Sequence, residues 1–110
     1  MAVSEKNVSD ALTYLADDPH PLAIAQFELA KAEASTKAAY AKAFLASNET
    51  TVDAKKASAE VHPDHAAARS AEADAILEME RHRRRVKAAE SLLEIWRTEN
   101  ANARAAERVR

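Results

Sequence analysis

Ala75-Ile76-Leu77-Glu78-Met79-Glu80-Arg81-His82-Arg83-Arg84-Arg85-Val86-Lys87-Ala88-Ala89-Glu90-Ser91-Leu92-Leu93-Glu94-Ile95-Trp96 is the stretch that decides the fold. Within it Ala75, Met79, His82, Val86, Ala89, Leu93 and Trp96 recur at alternating spacings of four and three, the seam of a coiled-coil-like amphipathic helix. The seam extends back to Ala68 and forward to Asn100 and Ala103, with no Gly or Pro after Pro63 to interrupt it. Pro63 suits the first helical position, where a missing N–H costs nothing. The pattern therefore predicts a helix from Pro63 to about Ala106, roughly 65 Å long at 1.5 Å per residue.

Upstream, the same reading gives three more helices. Ser4 to Ala16 carries Val8, Leu12 and Leu15 as one apolar edge. Asp17-Asp18-Pro19-His20-Pro21 ends it, because proline disfavours helical geometry in the residue before it. From Pro21 to about Ser47, Leu22, Ala25, Leu29, Ala32, Thr36, Ala39 and Ala43 form a second heptad-like seam built mainly of small residues. Phe27, Tyr40, Phe44 and Leu45 widen its apolar surface. Thr50 with Asp53 resembles a capping box that starts a short helix through Val61. His62-Pro63 then repeats the His20-Pro21 arrangement.

The expected fold is all-α, a single helical domain over residues 1–110. It is an elongated antiparallel hairpin of the two long helices, with a short N-terminal helix and a short connector helix. The distal residues Leu92, Leu93, Ile95 and Trp96 need cover, which Val8, Leu12, Tyr14 and Leu15 are placed to give. An Ala-lined interface excludes little apolar area, so self-association is expected.

Composition narrows the function. The 110 residues contain no Gly and no Cys, which removes Gly-rich phosphate loops, disulfides and thiolate chemistry. The N-terminus lacks a basic region followed by an apolar run, and no apolar stretch approaches the roughly 20 residues of a membrane span. A cytoplasmic location is expected, so the glycosylation triplets at Asn7 and Asn48 are chance matches. A net charge of −2 hides a polarised chain: residues 81–110 carry nine Lys/Arg against four Asp/Glu.

Arg81, Arg84 and Arg85 fall on one side of the last helix and Arg83 and Lys87 on another. Such a segment contacts phosphate or an acidic surface, or is simply a solvated flank with Glu78, Glu80 and Glu90 as partners. Met79, Val86, Leu93 and Trp96 are assigned to the core or an oligomer seam, packing being the expected role of Trp96 and base stacking the alternative. His62 and His65 have no third ligand nearby, so capping and exposure are expected rather than metal binding. The carboxylates Glu72, Asp74, Glu78 and Glu80 do not converge, and no nucleophile–base pair is evident. Neither catalysis nor a cofactor is expected.

The basic cluster, Ala88-Ala89-Glu90 and the tract Ile95-Trp96-Arg97-Thr98-Glu99-Asn100-Ala101-Asn102-Ala103-Arg104 together resemble small helical proteins of tailed bacteriophages. In those a tract close to Trp-Arg-Ser-Leu-x-Ala-Asn-x-Arg closes the last helix, and the group is similar to the UvsY recombination mediators. The likeness extends more loosely over the second helix, the connector with Lys55-Lys56 and the Pro63 start. It implies a non-enzymatic protein of the bacterial-host cytoplasm that binds single-stranded DNA as a homo-oligomer. Such a protein helps load a recombinase onto DNA coated with single-strand-binding protein. Arg97, Asn102 and Arg104 match the terminal tract; Thr98 replaces Ser, and Glu99 stands where an apolar residue is common.

The leading expectation is thus single-stranded DNA binding by Arg81, Arg83, Arg84, Arg85 and Lys87, with Lys55 and Lys56 as secondary contacts. Arg97 and Arg104 serve DNA or inter-subunit pairing. The alternative is a structural or adaptor coiled-coil protein, a phage scaffold or partner-binding module without nucleic-acid binding. A membrane-surface helix is the third reading, but the bulky apolar face that lipid insertion requires is missing.

Overall fold

The computed structural model describes residues 3–109, and all their regular structure is helical: α1 (Glu5–Ala16), α2 (Pro21–Ala46), α3 (Val52–Glu60) and α4 (Pro63–Val109). Each boundary lies within a residue of the sequence expectation except the last, where α4 runs on to Val109. An alanine-rich stretch without Gly or Pro has nothing to stop it. The chain forms two compact units, residues 3–23 with 81–109, and residues 24–80.

In the second unit, α2 and residues 63–80 of α4 run antiparallel, with Tyr40 edge-on to His65 at 5.3 Å between ring centres. The inner stripe of α2 is the predicted one: Ala25 and Ala43 are buried, and Leu29, Ala32, Thr36 and Ala39 are half-buried. Thr36 tolerates this apolar position because its hydroxyl donates to the Ala32 carbonyl at 3.0 Å. α3 lies against the same unit, with Ala59 fully enclosed and Lys55 Nζ 5.8 Å above the Phe44 ring.

The start of α3 corrects the sequence reading. Thr51, not Thr50, is the N-cap, its Oγ1 accepting the Ala54 N–H at 3.1 Å. Asp53 sits in the first turn, favourably placed against the helix dipole.

In the first unit α1 lies antiparallel to α4, Tyr14 reaching His82 and the Val3 N–H donating to Glu99 Oε2 at 3.1 Å. The buried edge of α1 is Val8, Ala11 and Tyr14, and Leu12 is 51% exposed. Of the expected edge of Val8, Leu12 and Leu15, Leu12 is thus the correction, Val8 being buried and Leu15 half-buried. Ala11 and Ala89 are both small and buried in one cluster, which lets the helices approach and turns Tyr14 inward. Leu15, Val86, Leu92 and Leu93 pack round that cluster. Ala103, expected on the seam, is exposed.

The two His-Pro helix starts use one device. His20 Nδ1 accepts the Leu22 N–H at 3.0 Å and His62 Nδ1 accepts the Asp64 N–H at 3.1 Å. Each imidazole thus satisfies a backbone donor that a helix N-terminus leaves unpaired. His62→Ala should cost about 1 kcal/mol, as cap removal does, while His62→Asn, which keeps an acceptor, should be near neutral in chemical denaturation. Equal stability of both variants would contradict a capping role. His65, expected to be exposed, is instead buried, its Nδ1 3.4 Å from the Glu60 carbonyl oxygen.

Candidate nucleic-acid interface

α4 sets the geometry of the basic segment. At 100° per residue, five cations between residues 81 and 87 occupy most of the circumference left by the seam positions His82 and Val86. Arg81, Arg83, Arg84, Arg85 and Lys87 are all exposed. Their surroundings differ. The Arg85 guanidinium lies 4.0 Å above the Tyr14 ring, in a shallow cleft lined also by Asn7, Asp10, Ala88 and Leu92. Arg83 and Lys87 stand on the opposite flank, and helical periodicity carries that side of α4 on to Arg97 and Arg104.

Trp96 is half-buried and lines a shallow groove along α4 with Arg97, Asn100, Ala101, Ala103, Arg104 and Glu107. Three residues singled out from the sequence, Trp96, Arg97 and Arg104, therefore meet at one place. Arg97 Nη1 is 3.4 Å from Glu94 Oε2, both side chains largely exposed, so the pair is held loosely. Arg104 Nε donates to the Asn100 carbonyl at 3.4 Å. Of the assigned seam residues, Val86 and Leu93 pack on the α1 cluster, and Met79 is half-buried in the other unit. Lys55, half-buried, and Lys56, exposed, also stand in that second unit.

Sequence reasoning placed Tyr14 over the end of α4 but missed its pairing with His82. Tyr14 is buried, its hydroxyl 3.0 Å from His82 Nδ1 and 3.4 Å from the His82 carbonyl oxygen, with His20 edge-on at 4.8 Å. The available signal was His82 itself, a polar residue at a seam position inside an arginine run. Such a group requires a polar partner, and Tyr14 is the one aromatic of α1 that supplies a hydroxyl.

Among the described residues no three or more His, Asp or Glu side chains gather as metal ligands, and no helix is long and apolar enough to cross a membrane. No protein-family model matches the chain, and neither does any curated protein or solved structure.

Proposed function

We propose that this chain is a non-enzymatic accessory protein of the UvsY-like kind. It binds single-stranded DNA without sequence preference, self-associates, and helps a recombinase replace single-strand-binding protein in a bacterial-host cytoplasm. The observation that carries the reading is the exposure of five cations within two turns of one helix. Backbone phosphates are the ligand that such a cluster engages without reading sequence. The groove at Trp96 favours a single strand over a duplex, because an aromatic ring flanked by arginines accepts unstacked bases.

The test must spare Arg85, because its guanidinium covers Tyr14 and its loss would disturb α1. Arg83→Ala, Arg84→Ala and Lys87→Ala combined should flatten the log–log salt dependence of oligo-dT binding by about 2, at roughly 0.7 per lost phosphate contact. Helicity should not change. An unaltered slope would remove the basic segment from the interface.

The adaptor reading is favoured by one observation: cations of the candidate interface, Arg85, Arg97 and Arg104 among them, already have partners within the chain. On that reading the basic segment meets an acidic protein surface, and oligo-dT does not bind even at low salt.

A further inference from the structure

The apolar residues of α2 do not point one way: they form two stripes on opposite sides, with charged residues on the flanks between them. An apolar stripe of a helix is normally covered. Its inner stripe is used within the second unit, but a second stripe runs along the outside. Ile24, Phe27, Lys31, Ala34, Ala38, Ala41 and Leu45 follow spacings of three and four and are all exposed, Ile24 at 46%, Phe27 at 61% and Leu45 at 79%. Lys31 adds its stem to this stripe, its Nζ 5.5 Å from the Phe27 ring centre.

We propose that this outer stripe is a self-association surface, on which α2 of a second copy lies antiparallel. Over residues 27–45 the spacing of the pattern reads the same from either end. Reversed about position 36, Phe27 meets Leu45, Lys31 meets Ala41 and Ala34 meets Ala38, so that the bulky ends face each other and the alanines close the middle, while Ile24 lies beyond the paired layers. These are the layers of an antiparallel coiled coil.

The charges obey the same symmetry. Glu28 and Lys42 lie on one flank, and antiparallel pairing sets each against the other in the second copy. Lys37, near the axis on the far flank, has Glu33 four residues before it to offset its twin. Parallel pairing instead sets Lys37 against Lys42 of the second copy. A C2 contact requires this self-complementarity.

Burial points the same way. The buried residues are mostly alanines, and among the described residues no large side chain is fully enclosed. The outer stripe spans about 33 Å of helix. It rests on the reading of the protein as self-associating, and it names the surface.

The chain has no cysteine, so introduced ones report register directly. Ser35→Cys, beside the two-fold axis, should form a disulfide-linked dimer under mild oxidation. Lys31→Cys and Ala41→Cys should each fail alone, their twins being about 15 Å apart along the axis, yet link to each other when mixed. Same-position links at 31 and 41 would overturn the antiparallel register, and no link at any position would overturn the surface. Independently, Phe27→Asp should weaken self-association in sedimentation equilibrium at least tenfold at unchanged helicity; an unchanged association constant would contradict the proposal. No nucleic acid enters either experiment, so failure here and failure of DNA binding are separable.

Discussion

Tyr14→Ala should release α1 from α4 and cost the first unit about 3–5 kcal/mol, the range for truncating a buried aromatic. The ring is buried against Ala11 and Ala89, carries the Arg85 guanidinium on its face and holds His20 at its edge. Its hydroxyl is the partner of His82. Truncation exposes the apolar flank of Val86, Leu92 and Leu93 and strips the Arg85 contact, which contributes about 0.5–2 kcal/mol. α1 spans 12 residues, too short to persist as an isolated helix in water. Hydrogen exchange should therefore show α1 amides losing protection while those of residues 63–80 keep theirs. Tyr14→Phe keeps the ring and should cost about 1 kcal/mol, the net value of one hydrogen bond. Loss of less than that in the Ala variant would mean that α1 is held by something other than this residue.

Ala59→Leu should expel α3. Ala59 is 0% exposed, the most enclosed side chain described, and it is the one buried residue of a nine-residue helix. Three added carbons have no room there, and overpacking of this kind costs about 1–3 kcal/mol. The tie of α3 to α2 through the Lys55 ammonium over Phe44 is too weak to hold a misfit helix in place. Denaturant melts should shift, and α3 amides should exchange early. Ala57→Leu, on the exposed side of the same helix, is the control and should be near neutral. Equal effects of the two substitutions would contradict the packing described for α3.

Much of the fold was legible because one periodicity runs through the long helices. The α2 seam was read residue by residue, since Leu22, Ala25, Leu29, Ala32, Thr36, Ala39 and Ala43 recur at spacings of three and four and so share one side of the helix. The two prolines that follow histidines mark helix starts for steric reasons independent of context. The rotation of α1 was not legible. Leu12 is the stronger hydrophobe, yet Ala11 is buried, because close approach at Ala89 and a polar partner for Tyr14 outweigh the transfer of one leucine. Neither advantage is visible within α1 alone. The capping error at Thr50 has a similar origin, as two adjacent threonines are equivalent until the backbone selects one.

The candidate interface was legible as residues but not as an arrangement. Charge patterning found every cation between residues 81 and 87. That Arg85 lies over an aromatic while Arg83 and Lys87 face the other way follows from where α1 docks, and so from the same unread rotation. Trp96, Arg97 and Arg104 meet in one groove because spacings of one, seven and eight residues bring them to neighbouring positions along α4.

The most direct measurement is fluorescence anisotropy of labelled oligo-dT with the intact protein across a salt series. Engagement of four or five phosphates by the basic segment predicts binding that falls linearly in log–log form with a slope of roughly −3. No binding at low salt, or binding indifferent to salt, would contradict the account and leave the basic segment to an acidic protein partner.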